Sequence, residues 1–145
     1  MMDVTLQKFG YPASMIKEYK SWQLLCRPKQ VTLGSLILIS KEPVTAFSHL
    51  SSASFIELGG IIKEVEHVLK ELFNYEKINY LMLMMVDPEV HFHIFPRYSS
   101  TKSFSGRNFI DKGWPLAPDL NVSNELEDTT FAALSNHLKS AFSNL

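Results

Sequence analysis

Apolar residues recur at helical spacing in two stretches of the chain, and each stretch predicts one amphipathic helix. The first helix is predicted over about 52–74 and capped by Ser51 or Ser52, with apolar positions Phe55, Leu58, Ile62, Val65, Leu69, Leu72 and Phe73. Gly59 and Gly60, in its middle, cost about 1 kcal/mol each against alanine, and close packing against a sheet would explain them. The second helix spans about Asp128 to Ser143, with Asp128 or Thr129 as its cap and one apolar face formed by Phe131, Leu134, Leu138 and Phe142.

Shorter apolar runs bounded by turn residues predict strands. Trp22 to Cys26 is one such run, and Ser35 to Ser40 is a second that reads as buried. The stretch 101–124 contains two glycines and two prolines and predicts a loop. Three aromatic residues predict that this loop packs against the protein: Phe104, Phe109 and Trp114.

Two further strands are predicted on either side of Asp87-Pro88. Ile78 to Val86 is almost wholly apolar, as in a central strand covered on both faces. Asp87-Pro88 predicts a tight turn, and Glu89 to Phe95 predicts the returning strand, ended by Pro96. The order of elements predicts an α+β fold, with helices packed on one face of an antiparallel sheet, in a single domain covering 1–145.

Composition narrows the functional classes. The chain has 145 residues, of which 46% are hydrophobic and 20% charged, with a net charge of -1. These values predict one domain with a real core and argue against a broadly basic partner of nucleic acids. A single cysteine excludes an intrachain disulfide. Without a signal-like segment or a run of about 20 apolar residues, the expectation is a soluble cytoplasmic protein that does not enter membranes.

The segment 89–97 holds the candidate chemistry. If it is a strand, alternation places Glu89, His91 and His93 on one face and leaves the other face apolar. Imidazole titrates near neutral pH and serves as a nucleophile or base. If a backbone carbonyl takes the Nδ1 proton of one ring, its Nε2 lone pair points outward, and the second histidine can bind an oxygen of the attacked group. Alternatively, the two histidines are ordinary polar residues on the protein surface, because short sequence patterns have many false positives.

The motif His91-Phe92-His93-Ile94-Phe95-Pro96-Arg97 resembles the signature of the histidine-triad superfamily of nucleotide hydrolases and transferases. It matches the second and third histidines and the Pro-Arg tail. The order strand, long helix, strand, signature strand is also similar, over about 22–98. The resemblance implies a histidine-triad fold: an antiparallel sheet, one long central helix and a C-terminal helix.

The resemblance also implies roles. His91 would be the nucleophile that attacks the α-phosphorus of a small-molecule nucleotide, and His93 would bind the phosphate or bridging oxygen. The family uses neither a metal nor another cofactor at this site, and its members are typically homodimers. The chain departs from the pattern at three site positions. Glu89 replaces the first triad histidine, Ser35 replaces a histidine before the strand, and Arg27 stands where relatives place Asp or Asn against the ribose. These three residues and Arg97 are the expected substrate-binding residues, and Ser35 can still donate a hydrogen bond.

A further departure is the loop before the triad, where a Gly-Gln phosphate-binding element is replaced by what reads as the turn Asp87-Pro88. The expected replacements for phosphate binding are arginine and lysine, whose donors suit phosphate. The candidates are Arg27 and Lys29 before the Ser35 strand, Arg97 at the end of the signature strand, and Lys102 and Arg107 beyond it.

Three functions remain open from the sequence. The first is a hydrolase or transferase acting through a nucleotidyl-histidine on a nucleoside phosphate, dinucleoside polyphosphate or phosphoramidate. The second is a binding or regulatory module that has kept the fold with weakened catalysis. The third is a metal site at Glu89, His91 and His93, disfavoured because alternate residues over five strand positions span about 13 Å.

Overall fold

A computed structural model describes residues 4–145 of the chain. A sheet of five antiparallel strands forms its centre, in the order β1-β2-β3-β5-β4. The strands are β1 (Met15–Glu18), β2 (Trp22–Cys26), β3 (Leu36–Ser40), β4 (Lys77–Leu81) and β5 (His91–Arg97). The helices are α1 (Val4–Lys8), α2 (Ser52–Phe73) and α3 (Asp128–Ser143), and a small separate hairpin joins β6 (Lys102–Phe104) to β7 (Arg107–Phe109).

Both long helices lie where the apolar spacing predicts them. Ser51 caps α2, since its side chain accepts a hydrogen bond from the amide of Ser54 at 3.1 Å, and Asn74 ends the helix in the left-handed region. The cap of α3 differs from the prediction. Its N-cap residue is Glu127, one position earlier than Asp128, and Glu127 makes no capping bond through its side chain.

The two faces of the sheet are covered by apolar clusters of different size. On one face, α2 and α3 pack on a continuous apolar core formed by alternate strand residues, including Trp22, Leu24, Leu36, Leu38 and Ile94. On the opposite face a smaller cluster joins Phe9 to Leu25, Ile37 and Ile39. His91 and His93 also belong to this second face, because they pair across the ladder with Ile39 and Ile37.

The explanation offered for Gly59 and Gly60 is wrong. Both residues are exposed on α2, and a Cβ added at either would meet no heavy atom within 4 Å. Gly34, in contrast, is required by its position. It has φ +86° in the turn before β3, and a Cβ there would meet the ring of Phe73 at 3.0 Å.

Ile78 to Val86 is not a central strand. Only Lys77–Leu81 forms β4, and β4 lies at the edge of the sheet. Its antiparallel pairing with β5 confirms the predicted neighbours, but a loop over 82–90 joins them instead of a tight turn at Asp87-Pro88. The apolar side chains of 82–86 leave the sheet, and Met85 and Val86 are 87% and 81% exposed.

Two smaller corrections concern β5 and the stretch 101–124. β5 begins at His91, so Glu89 precedes the strand, and Pro96 lies within the strand, paired with Ile78. The predicted loop contains the hairpin of β6 and β7, and its Phe109 is buried as expected. Over residues 4–145, no helix is long and apolar enough to cross a membrane.

Candidate active site

His91 and His93 lie side by side on β5, on the sheet face that the long helices do not cover. Their ring centroids are 5.1 Å apart, and the ring planes meet at 76°. β5 is paired on both sides, with β3 and with β4. The two imidazoles are therefore fixed on a backbone that hydrogen bonds hold from both edges.

The orientation of His91 is set by the main chain of Glu89. Nδ1 of His91 lies 2.7 Å from the carbonyl oxygen of Glu89. A carbonyl only accepts, so Nδ1 carries the proton and Nε2 keeps its lone pair. The carboxylate of Glu89 turns elsewhere and accepts a hydrogen bond from the Thr5 hydroxyl. Glu89 thus contributes its carbonyl, and its side chain does not line the cavity described below.

His93 is held in its neutral form. Its side chain is nine-tenths buried, and its Nδ1 is a buried atom with no hydrogen-bond partner among residues 4–145. Burial, followed by the positive charge of Arg27, lowers the pKa of His93 to about 4. At neutral pH this ring offers one N–H and one free lone pair.

Both rings border a cavity of about 490 Å³. Its lining combines polar and charged side chains with apolar side chains from the loop over 82–90. The lining residues are Lys8, Phe9, Arg27, Pro28, Lys29, Leu83, Met84, Met85, Val86, Asp87, His91, His93 and Leu120. The cavity thus combines a histidine pair, several cations and an apolar rim, which suits an organic anion.

Arg27 lies beyond His93, along the direction of β5. Its guanidinium carbon sits 5.6 Å from the centre of the Phe95 ring, and the Phe95 ring stacks on His93 at 6.1 Å. One guanidinium nitrogen donates to the carbonyl of Lys29 at 2.7 Å. Burial lowers the pKa of Arg27, yet a guanidinium stays charged at neutral pH.

The N-terminal segment forms one wall of the cavity, which no pattern in the sequence indicated. The Phe9 ring lies 6.3 Å from that of His91 and 6.0 Å from that of His93. Lys8 forms an ion pair with Asp87 at 2.8 Å. These contacts join residues about eighty positions apart, so neither local spacing nor periodicity carries a signal for them.

Of the predicted substrate-binding residues, Ser35 and Arg97 lie outside this cavity, as does the side chain of Glu89. Ser35 is fully buried in the turn before β3, where its hydroxyl donates to the carbonyl of Thr32 at 2.6 Å and accepts from the Thr32 amide. Arg97 is buried against Asp111, which it meets through Nε at 2.7 Å and through a terminal nitrogen at 2.9 Å. Arg97 also donates to Asn79. Both side chains therefore use their hydrogen-bonding groups within the fold.

The other basic candidates divide in the same way. Lys29 borders the cavity with Arg27. Lys102 lies over the ring of Tyr98, and Arg107 donates to the carbonyl of Glu125, so both serve the small hairpin. Over residues 4–145, no group of three His, Cys, Asp or Glu side chains is arranged to hold a metal ion.

Comparison with solved structures finds histidine triad proteins. A histidine triad protein from Bradyrhizobium japonicum is 21% identical with a TM-score of 0.72, over 99% of this chain and 96% of that one. A hypothetical histidine triad nucleotide-binding protein from Sulfolobus tokodaii is 18% identical with a TM-score of 0.67, over 91% and 85%. The diadenosine triphosphate hydrolase of Plasmodium falciparum is 14% identical with a TM-score of 0.66, over 92% and 78%.

No protein-family model matches the chain, and comparison with curated protein sequences finds no match. The similarity is therefore one of structure, at identities too low to carry an activity from one protein to another. The chain has the histidine-triad fold, which confirms the α+β prediction and the element order that suggested it.

Proposed function

We propose that this protein is a divergent member of the histidine-triad superfamily, acting as a single domain over 1–145. Its activity would be the hydrolysis or transfer of a nucleotidyl group from a nucleoside phosphate, dinucleoside polyphosphate or phosphoramidate. Solved structures with the same fold include a nucleotide-binding protein and a diadenosine triphosphate hydrolase, which supports this class of substrate.

One observation carries the proposal: the 2.7 Å contact between Nδ1 of His91 and the carbonyl of Glu89. It leaves the unprotonated Nε2 free for attack, and the ring borders a cavity that also holds cations. A nucleophile fixed by its neighbour, next to groups that stabilise negative charge, is what covalent phosphoryl chemistry requires.

In the proposed first step, the Nε2 lone pair of His91 attacks the α-phosphorus. A P–N bond forms, the bond from phosphorus to the leaving group breaks, and its electron pair departs with that group. In the second step water attacks the phosphorus, the P–N electron pair returns to Nε2, and the proton of the water passes to solvent. The nucleoside monophosphate is released.

Protonation of the leaving group is the weak point of the site. Ser35 is bonded into its turn, and the lowered pKa of His93 leaves little cationic imidazole at neutral pH. Substrates whose leaving group is stable as an anion, such as a phosphate chain, should therefore react best.

Homodimerisation is part of the same proposal, supported by two exposed surfaces. β4 is an edge strand, and among the described strands only β5 pairs with it. The first half of α2 exposes Ile56, at 79%, together with the uncovered Gly59 and Gly60. An open strand edge and an apolar helix face are features that a second subunit can cover.

The experiment is a screen of nucleotide substrates with wild-type protein and His91→Ala side by side. The proposal predicts turnover by the wild type and at least a roughly thousandfold loss in the variant, with an unchanged circular dichroism spectrum. Equal turnover by both proteins would remove His91 from the nucleophile role.

A binding or regulatory module is the second candidate. It is favoured because the Ser35 hydroxyl already donates to the Thr32 carbonyl and His93 is neutral, so neither group readily gives a proton to a leaving group. Calorimetry with AMP separates the two functions. Tight AMP binding without turnover of any adenylated substrate would favour the module.

A further inference from the structure

A second hollow opens directly beside the histidine cavity. It has a volume of about 320 Å³ and shares Arg27, Lys29 and Leu120 with the cavity that holds His91 and His93. Its far side is formed by the loop before α3, including Lys112 and Glu125. Because the two spaces share three residues, one ligand can occupy both.

The shared region is strongly cationic. Arg27, Lys29 and Lys112 line the second hollow, and Glu125 is its single carboxylate. Across residues 4–145, none of the three cations lies within 4.0 Å of a carboxylate. By comparison, Lys8 in the first cavity is neutralised by Asp87. The unbalanced positive charge therefore lies on the Arg27 side and not on the Lys8 side.

Arg27 also has an unused donor. Its Nε is a buried atom with no hydrogen-bond partner among the described residues. A neutral hydroxyl can accept from a guanidinium but leaves its charge unbalanced, whereas a phosphate accepts from two guanidinium nitrogens at once and balances the charge. The described residues therefore compensate the Arg27 guanidinium only in part, which favours an anion beside its exposed nitrogens.

The position of this anion differs from that of the attacked phosphorus. His91, His93 and Phe95 follow one another along β5, and Arg27 lies over Phe95 at the far end of this row. The ring centroids of His91 and His93 are 5.1 Å apart, and those of His93 and Phe95 are 6.1 Å apart, so two ring spacings separate His91 from Phe95. An anion at Arg27 therefore belongs to a part of the ligand well removed from the atom that His91 reaches.

We propose that the substrate is a nucleotide with a second phosphate on its ribose, at the 2′ or 3′ oxygen, bound by Arg27, Lys29 and Lys112. This rests on the proposed function, which places the 5′ phosphorus at His91. A further phosphate in a chain at the 5′ position shares a bridging oxygen with the attacked phosphorus and departs with the leaving group. A ribose phosphate stays on the nucleoside, across the sugar from the reacting centre.

Calorimetry with four ligands tests the inference: AMP, ADP, adenosine 3′,5′-bisphosphate and adenosine 2′,5′-bisphosphate. One bisphosphate should bind wild-type protein about tenfold or more tightly than AMP, and ADP should not reproduce this gain. Arg27→Gln should abolish the preference and Lys112→Gln should reduce it. Lys139→Gln, which removes the same charge from the exposed face of α3, should leave it intact.

Two outcomes overturn the inference: both bisphosphates bind no better than AMP, or ADP gains as much as they do. Either result leaves the proposed function standing if a diadenosine polyphosphate is still turned over in a His91-dependent way. Conversely, an Arg27-dependent preference for a bisphosphate without any turnover supports the inference and contradicts the enzymatic proposal. Arg27→Lys, which keeps the charge, guards against loss of binding through misfolding.

Discussion

The backbone carbonyl of Glu89 and the Nδ1 atom of His91 form a 2.7 Å hydrogen bond that leaves Nε2 of the imidazole free. The bond uses the main chain, so it does not depend on which side chain stands at position 89. The replacement of the first triad histidine by glutamate is therefore compatible with a correctly oriented nucleophile.

This relationship gives the first prediction. Glu89→Gln should change kcat by less than about tenfold, because glutamine keeps an oxygen that can accept from the Thr5 hydroxyl. The change then removes only the charge-assisted part of that hydrogen bond, about 1 kcal/mol. Steady-state kinetics on the best substrate of the screen measures it. A collapse as deep as that of His91→Ala would mean that the carboxylate itself takes part in the reaction.

His93 gives a prediction for stability against pH. Its pKa is about 4 in the folded protein against an ordinary value of 6.5, so the unfolded chain binds more protons between these values. The stabilisation by neutral His93 is complete above about pH 6.5 and is lost as the pH falls toward 4. Urea denaturation across this range should show the loss in the wild type.

His93→Gln should flatten this dependence, since glutamine does not titrate. His67→Gln is the matched control, because His67 is exposed on α2. If the two variants keep the same pH slope as the wild type, His93 is not the group responsible.

The two long helices are predictable from the sequence, whereas the run from Ile78 to Val86 is not. The predicted bounds of α2 and α3 agree with the structure to within one residue at both ends. An amphipathic period and local capping define a helix without tertiary information. Ile78 to Val86 fails because an apolar run reads the same whether it fills a core or rims a ligand cavity. Met85 and Val86 belong to the rim.

The site shows the same division. Strand alternation places His91 and His93 on one face, and the structure places both beside Arg27 in one cavity, while the roles of these residues stay predictions. Ser35 and Arg97 could not be excluded from the sequence, because their partners Thr32 and Asp111 are supplied by a turn and by a distant loop. Side-chain chemistry is visible in a sequence, but the direction in which a side chain points is not.

The buried ion pair of Arg97 with Asp111 leads to a third prediction. Asp111→Asn leaves the Arg97 guanidinium buried without its countercharge and should lower the free energy of unfolding by about 3 kcal/mol or more. The exposed change Asp128→Asn, in the first turn of α3, should cost no more than about 1 kcal/mol. Urea denaturation compares them. An equal effect of both would show that the pair is not a structural anchor.

Gly34 and Gly106 provide a matched pair for a fourth prediction. Both have positive φ, +86° and +77°, but a Cβ at Gly34 would meet Phe73 at 3.0 Å, whereas at Gly106 it meets nothing within 4 Å. Gly106→Ala should cost about 1 kcal/mol from backbone strain alone. Gly34→Ala should cost measurably more, and thermal unfolding of the two variants gives the difference. A larger loss at Gly106 would contradict the close packing of α2 on this turn.

The most direct test of the account is to trap the covalent intermediate. Wild-type protein is mixed with a diadenosine polyphosphate, quenched in alkali to preserve the P–N bond, and examined by peptide mass spectrometry. We expect one adenylyl group on His91, present in Lys139→Gln and absent in His91→Ala. Turnover by the wild type with no adduct at His91, together with undiminished turnover by His91→Ala, would contradict the account.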